Sequence, residues 1–535
     1  MSTRLLTGGA VYSPAAPGAT ALAVTGGIVS WVGEDAVGRA LHPDAEVVDL
    51  DGAFVAPAFV DTHVHATSAG LALLGLDLTG ARSLRECLDL VRAHALAHPT
   101  GILWGHGWDD SRWPEQRPPT RAEVDDCAHD RQVYLSRIDV HSALVSTPLL
   151  RCAAGVAAAP GWSTEAPLSQ QAHHLVRDAA RGGLGPEQRA AAQHALLDHA
   201  AAHGVACVHE CGGAEIAGVD DFRELLVMEH GVSVRGYWGE AVTTPEQARD
   251  VVVRTGAHGL GGDLFVDGSL GSRTAWLTKP YRDDPHSAHN TGARYLDTDR
   301  IAAHLRACTQ AGVQGGFHVI GDGAVAAVVA ALGRVVAELG GPAVAARGHR
   351  LEHLEMVDAG QAAKLGAWGV LASVQPVFDA QWGGTDGAYA QRLGPVRGPL
   401  LNPLGTLAAA GVGLAFGSDT PVTPLDPWAA VRAAVHHRTP GQGISPRAAF
   451  TAATRGAWRA GGVRDGLAGT LVPGAPASYA VWDVDELVVD APSDSVRRWS
   501  LDPRTGVPAL PRLDPDAELP RCRRLVHRGT TVFGS

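Results

Sequence analysis

The chain has 535 residues, 45% of them hydrophobic and 19% charged, with a formal net charge of −12, a length that accommodates one barrel-sized domain with smaller attachments. It has no uninterrupted apolar run of about 18 residues to span a bilayer, and no basic block or array of stacking aromatics to hold a phosphate backbone, so neither a membrane nor a nucleic acid is an expected partner. Seven cysteines without regular spacing fit reduced thiols better than a disulfide framework, which makes the cytoplasm the expected compartment.

In chain order, MSTRLLTGGAVYSPAAPG carries only short apolar stretches broken by Gly, Ser and Pro. It lacks the apolar centre of a secretory signal and reads as a strand and turn. LLTGGAVYS, TALAVTGGIVSWVG and EVVDLDGAFVAP make residues 1–58 a small β unit. From residue 59, the apolar runs AFVDTHVH, GVACVHECGG, GGDLFVDGS, VQGGFHVIGD, HRLEHLE, GVLASVQP and GVGLAFGSD alternate with Ala-rich helical stretches. Repeated strand-then-helix is the pattern of a parallel sheet, and this many repeats predict an α/β fold closed as a (β/α)8 TIM barrel over 59–455. Between its first two strands, residues of about 70–185 include the Trp-, Pro- and Asp-rich GHGWDDSRWPEQRPPT and the apolar VYLSRIDVHSALVS. This is too long for a loop and predicts an inserted subdomain. GLAGTLVPGAPASYAVWDVDELVV and RLVHRGTTVFG return to strands and turns, so 1–58 and 456–535 are expected to form one composite β-sandwich.

The chemistry begins at Asp61-Thr62-His63-Val64-His65. Alternate side chains of a strand share a face, so His63 and His65 project together from the strand's C-terminal end. Among 25 histidines one His-x-His pair means little by itself. Three more polar residues close later apolar runs, His318 in GGFHVIGD, His353 in RLEHLE and Asp419 in AFGSDTP. Singly they read as core histidines or a helix cap. Together they end parallel strands that open on one mouth, where barrel active sites lie. Imidazoles with a carboxylate suit a divalent metal, Zn²⁺ first, with Fe²⁺ or Mn²⁺ compatible.

This order of ligands resembles the metal-dependent amidohydrolase superfamily. DLFVDGSLGSRTAWLTKPY, HVIGDGAV, RLEHLEMVD and GSDTPVTPLDPW are similar to the branch containing the N-substituted formamide deformylases. The resemblance implies that His63, His65 and Asp419 hold one metal, and that His318 and His353 hold a second metal or the catalytic water. Two-metal relatives commonly carry a bridging carboxylated lysine before the aromatic-Val-Asp-Gly segment. Here that place is Asp263, and the chain's two lysines, Lys279 and Lys364, lie elsewhere. Asp263 or Glu210 is then the candidate extra ligand, with Glu210 favoured; on its strand Glu210 faces opposite to Cys207, His209 and Cys211, so only one set points inward. The alternative is a single ion on His63, His65, His318 and Asp419, with His353 near the water.

The expected reaction is cleavage of a non-peptide C–N bond in a small amide-like substrate by metal-activated water. Asp419 is expected to move the proton from water to the leaving nitrogen, and His353 or His318 to stabilise the oxyanion. Trp108, Asp109, Trp113, His141 and Arg273 resemble substrate-facing segments of the family, although Val140 and Ser146 depart from its pattern around His141; Gln375 is a further pocket candidate. A deaminase or cyclic-amide hydrolase would need the same groups. An inactive barrel that only binds is the reading from another class, supported by the missing lysine. A homo-oligomer is compatible with the sequence.

Overall fold

The computed structural model describes residues 2–99, 101–165, 167–284, 290–489 and 507–534. Among these, eight parallel strands form one sheet: β1 (Phe59–Val64), β2 (Val205–Gly212), β3 (Ser233–Trp238), β4 (Gly259–Leu260), β5 (Gln314–Val319), β6 (Arg350–His353), β7 (Leu371–Val374) and β8 (Gly413–Phe416). Each pairs with the next in sequence order. A parallel bridge between Val64 and Thr420 closes the circle, giving the (β/α)8 barrel that the alternating runs predict. The strands are short and buried on both faces, as all-parallel sheets covered by helices must be.

The crossover helices are set by ordinary local signals. Thr298–Ala311 starts at Asp297, whose carboxylate accepts from Arg300 N at 2.9 Å, and stops at Gly312 with φ +79°. The backbone there is left-handed, where glycine has no Cβ to clash. Ala359–Ala367 begins with a capping box of Asp358 and Gln361. Asp322–Leu339 buries Val325, Val328, Val329, Leu332 and Val335 along one stripe against the sheet, the spacing of an amphipathic helix seated on a core.

Between β1 and β2 lies a separate five-stranded sheet in the order Leu168–Ser169, Ser142–Val145, Val133–Arg137, Leu103–Trp108, Leu76–Asp77. Besides a two-stranded pair of Leu487–Val488 with Leu510–Pro511, the two chain ends build two larger sheets. One is wholly N-terminal. The other places Phe54–Pro57 beside Tyr479–Asp483, with Arg521–His527 and Thr530–Phe533 beyond. Leu6, Val11, Leu22 and Val55 from one end share a core with Leu471, Tyr479, Val481 and Val526 from the other. Of the 456–535 expectation, residues 490–506 and 535 lie outside the described residues. Among the described residues no helix is long and apolar enough to cross a membrane, and all seven cysteines are free.

Candidate metal centre

Barrel closure assembles the site. Asp419 N donates to His63 O at 2.8 Å and His65 N donates to Thr420 O at 3.0 Å, stitching the segment after β8 to the end of β1. Asp61 Oδ1 accepts from both Ser418 N, at 2.9 Å, and His63 N, at 3.1 Å, although burial pushes its carboxyl up to about 6. The approach is so close that a Cβ on Gly417 would lie 2.6 Å from His63 N, which explains the glycine of Gly-Ser-Asp.

Two backbone departures aim side chains inward. On an undistorted strand Glu352 and His353 would face opposite sides. His353 instead has φ +67° and Asp419 φ +57°, a region that non-glycine residues rarely occupy and that concentrates at functional sites. Hence Glu352 and His353 both reach the barrel interior.

The donor atoms converge. Asp419 Oδ1 is 3.1 Å from His65 Nε2 and 3.4 Å from His63 Nε2. Asp263 Oδ1 is 3.5 Å from both His63 Nε2 and His318 Nδ1, while its Oδ2 is 3.4 Å from His65 Nε2. Donor atoms that share one ion at bonds of about 2.1 Å stand about 3.0–3.4 Å apart, so the spacing fits a shared cation. His63 Nε2, Asp263 Oδ1 and Asp419 Oδ1 are all buried without a hydrogen-bond partner, an arrangement that folded proteins avoid unless something binds there. These residues therefore fit a metal. His318 and His353 border the same donors, His353 grouping with His63 and Asp263, and they also meet each other, Nδ1 to Nε2 at 2.9 Å, while His353 Nδ1 donates to Gln375 Oε1 at 2.9 Å.

His63 is oriented from behind. Its Nδ1–H donates to Glu352 Oε2 at 3.0 Å, leaving Nε2 as a bare lone pair, the carboxylate–histidine arrangement that fixes the tautomer of a metal ligand. Arg350 grips both oxygens of Glu352 at 2.7 and 2.8 Å, donates to His209 Nδ1 at 2.8 Å and to the Thr62 carbonyl, and lies 4.2 Å from the Tyr237 ring centroid. Burial alone would raise the Glu352 carboxyl; Arg350 and then His63 hold it below its usual value.

The amidohydrolase family profile matches residues 46–533. The chain belongs to this family. It is 28% identical over 529 residues to Protein LONG AFTER FAR-RED 3 of Arabidopsis thaliana, covering 90% of this chain and 88% of that one. It is 34% identical over 137 residues to an N-substituted formamide deformylase of Arthrobacter pascens, about a quarter (25%) of each chain. An uncharacterized metal-dependent hydrolase from Pyrococcus horikoshii superposes with a TM-score of 0.70 at 25% identity, over 90% of this chain and 98% of that structure.

In this amidohydrolase two recesses meet at the centre. One, of about 660 Å³, runs from His65, Asp263 and Asp419 to Tyr134, His173 and Arg181. The other, of about 570 Å³, is lined by Leu270, Ile320, Phe378, Trp382, Tyr389 and Val422. His141, His318, His353 and Asp419 belong to both. His141 lines both recesses, 5.4 Å from His318 between ring centroids, and Asp109 lines the second recess while paired to Arg137 at 2.8 Å.

Several expected site residues lie elsewhere. Glu210 accepts from Ala66 N at 2.7 Å, on the outer face of β2, because His209 and Cys211 take the inward positions beside Arg350. Asp263, not Glu210, joins the histidines. Trp108 and Trp113 are 1% exposed and donate their indole N–H groups to the Leu135 and Ala81 carbonyls. They hold the core of the insertion, because large apolar rings are drawn into whatever core their segment forms. Accordingly Trp113→Ala is expected to cost about 3–5 kcal/mol of unfolding free energy in denaturant titration. Arg273 pairs with Asp283 at 2.9 Å and lines neither recess. Gln375 orients His353 and does not line them.

Sequence reasoning passed over Arg350 and Glu352. The available signal was two opposite charges at i and i+2 in a short strand between two apolar ones of the barrel, where an unpaired charge would be strongly unfavourable.

Proposed function

We propose that the chain is a metal-dependent hydrolase that cleaves the C–N bond of a small-molecule amide. The observation that carries this reading is the convergence of His63, His65, Asp263 and Asp419 at the junction of two recesses, with His63 Nε2, Asp263 Oδ1 and Asp419 Oδ1 left without a hydrogen-bond partner. These residues would hold a divalent cation, zinc by ligand type, and it would supply Lewis acidity that lowers the pKa of water toward neutrality and polarises a carbonyl.

The protein's own groups do the rest. Asp419 faces both recesses and takes the proton as the water oxygen bonds to the carbonyl carbon. It returns that proton to the nitrogen as the C–N bond breaks, so that amide and water become carboxylic acid and amine. His318, held by His353, which Gln375 holds in turn, stands beside the carbonyl oxygen as charge develops there. The partial match to a deformylase supports amide cleavage over ring-amidine deamination.

A single ion is expected. Among the described residues all three candidate ligand triads contain His63, two of them as His63–His65–Asp419 and His63–Asp263–His353, so they compete for one imidazole, and no lysine stands at the centre to bridge two ions. Elemental analysis of the purified protein should return about one equivalent of metal per chain. Two equivalents would place a second ion at His318 and His353, and none after supplying Zn²⁺, Mn²⁺ or Fe²⁺ would favour a barrel that only binds.

A further inference from the structure

The recess running from His65, Asp263 and Asp419 ends on two arginines that the hydrolytic step does not use. Arg177 and Arg181 are four residues apart on helix Gln170–Gly182, so they share one face. Arg177 is 7% exposed. Its Nη2 donates to the Glu215 carbonyl at 2.5 Å, and Arg181 Nη2 donates to Ser68 Oγ at 2.8 Å. Arg177 Nε, Arg181 Nε and Arg181 Nη1 are buried with no acceptor.

Among the described residues neither guanidinium forms an ion pair. The Glu215 carboxylate takes His174 Nδ1 at 2.6 Å, Asp221 accepts from Thr67 Oγ1 at 2.7 Å, and Asp178 is exposed. Burial first, and the neighbouring Arg177 charge second, bring Arg181 down to about 10. Arg181 is half-buried, and Asp221 and Asp178 favour its charge through space without contacting it, so two like charges side by side, each with one bond to a neutral oxygen, are not explained by the packing of the helix. A guanidinium fork matches the oxygens of an oxyacid. The second recess, which shares His141, His318, His353 and Asp419 with the first, carries the apolar side chains Leu270, Ile320, Phe378 and Trp382, and its two arginines, Arg137 and Arg392, are already paired, with Asp109 at 2.8 Å and Asp283 at 2.5 Å.

We infer that the substrate is an anionic amide: an oxyacid group, carboxylate or phosphate, sits on Arg177 and Arg181, an apolar group fills the Phe378–Trp382 recess, and the C–N bond lies between them at Asp419. The placement of the bond rests on the hydrolase reading; the recognition of the anion does not.

Binding tests it without turnover. The metal-loaded protein is titrated calorimetrically with 4-phenylbutyrate, 4-phenylbutylphosphonate and the uncharged 4-phenylbutanol. At least one anion should bind about 100-fold more tightly than the alcohol, and the tighter of the two identifies the oxyacid. Arg177→Gln and Arg181→Gln should each remove about tenfold of that preference, whereas Arg181→Lys, which keeps the charge, should retain most of it. Equal affinity for anions and alcohol in the wild-type protein, a comparison that needs no variant, would overturn the inference. So would a preference that survives both glutamine substitutions, since the anion would then be on the metal. Turnover is scored separately on matched amides with and without a carboxylate. Equal kcat/KM for the two counts against the anion site alone, and anion binding without hydrolysis of any amide counts against the hydrolase reading alone.

Discussion

Asp419→Asn is expected to lower kcat by about 10²–10⁴-fold on any amide that the wild-type protein hydrolyses. Asparagine preserves the size of the side chain and an oxygen to face His63 and His65, now 3.4 and 3.1 Å from Asp419 Oδ1, but it cannot accept a proton. The left-handed backbone of residue 419, at φ +57°, is also one that asparagine tolerates. The loss should therefore fall on kcat, with elemental analysis still finding metal. A variant retaining more than about a tenth of wild-type kcat would remove Asp419 from proton transfer and leave it only the role of ligand.

The second large effect lies behind the centre. Arg350→Met is expected to destabilise the fold by about 3–5 kcal/mol, because it strands Glu352 as a buried, uncompensated charge. Both residues are essentially inaccessible, at 1% and 0% exposure, so water cannot take the place of the guanidinium. Replacing both residues by methionine should cost less than Arg350→Met alone, a non-additivity that distinguishes a coupled pair from two separate packing defects. Glu352→Gln, which keeps the shape but weakens the hold on His63 Nδ1, is expected to weaken metal binding by about 10–100-fold in competition with a chelator. Denaturant unfolding of the three proteins checks the stability claim. A cost below about 1 kcal/mol for Arg350→Met would show that the pair is screened and does not brace His63.

Much of this protein was legible without coordinates. Strand periodicity and chain order exposed the barrel, the insertion and the strands of both chain ends, because these depend on which residues can be buried and how often. The end-of-strand positions of His63, His65, His318 and Asp419 were legible for the same reason: parallel strands all end on one face. Of the expected substrate-facing residues, His141 and Asp109 do line the recesses, but the others do not. Trp108, Trp113 and Arg273 carry the residue types of a binding surface, yet their partners, the Leu135 and Ala81 carbonyls and Asp283, are fixed by the packing of the insertion and of the loop after β4.

What the amino-acid order alone determined is thus the scaffold and the kind of chemistry, since hydrophobic periodicity and ligand type are properties of single segments. Tertiary structure decided the rest. Asp263 and not Glu210 enters the centre because the inward face of β2 goes to His209 and Cys211. His353 turns inward through a backbone angle no propensity foretells. Arg177 and Arg181, remote from every ligand in sequence, line the same recess as His65 only because the insertion folds over the barrel mouth. Distances between segments arise when a core closes, and no local pattern contains them.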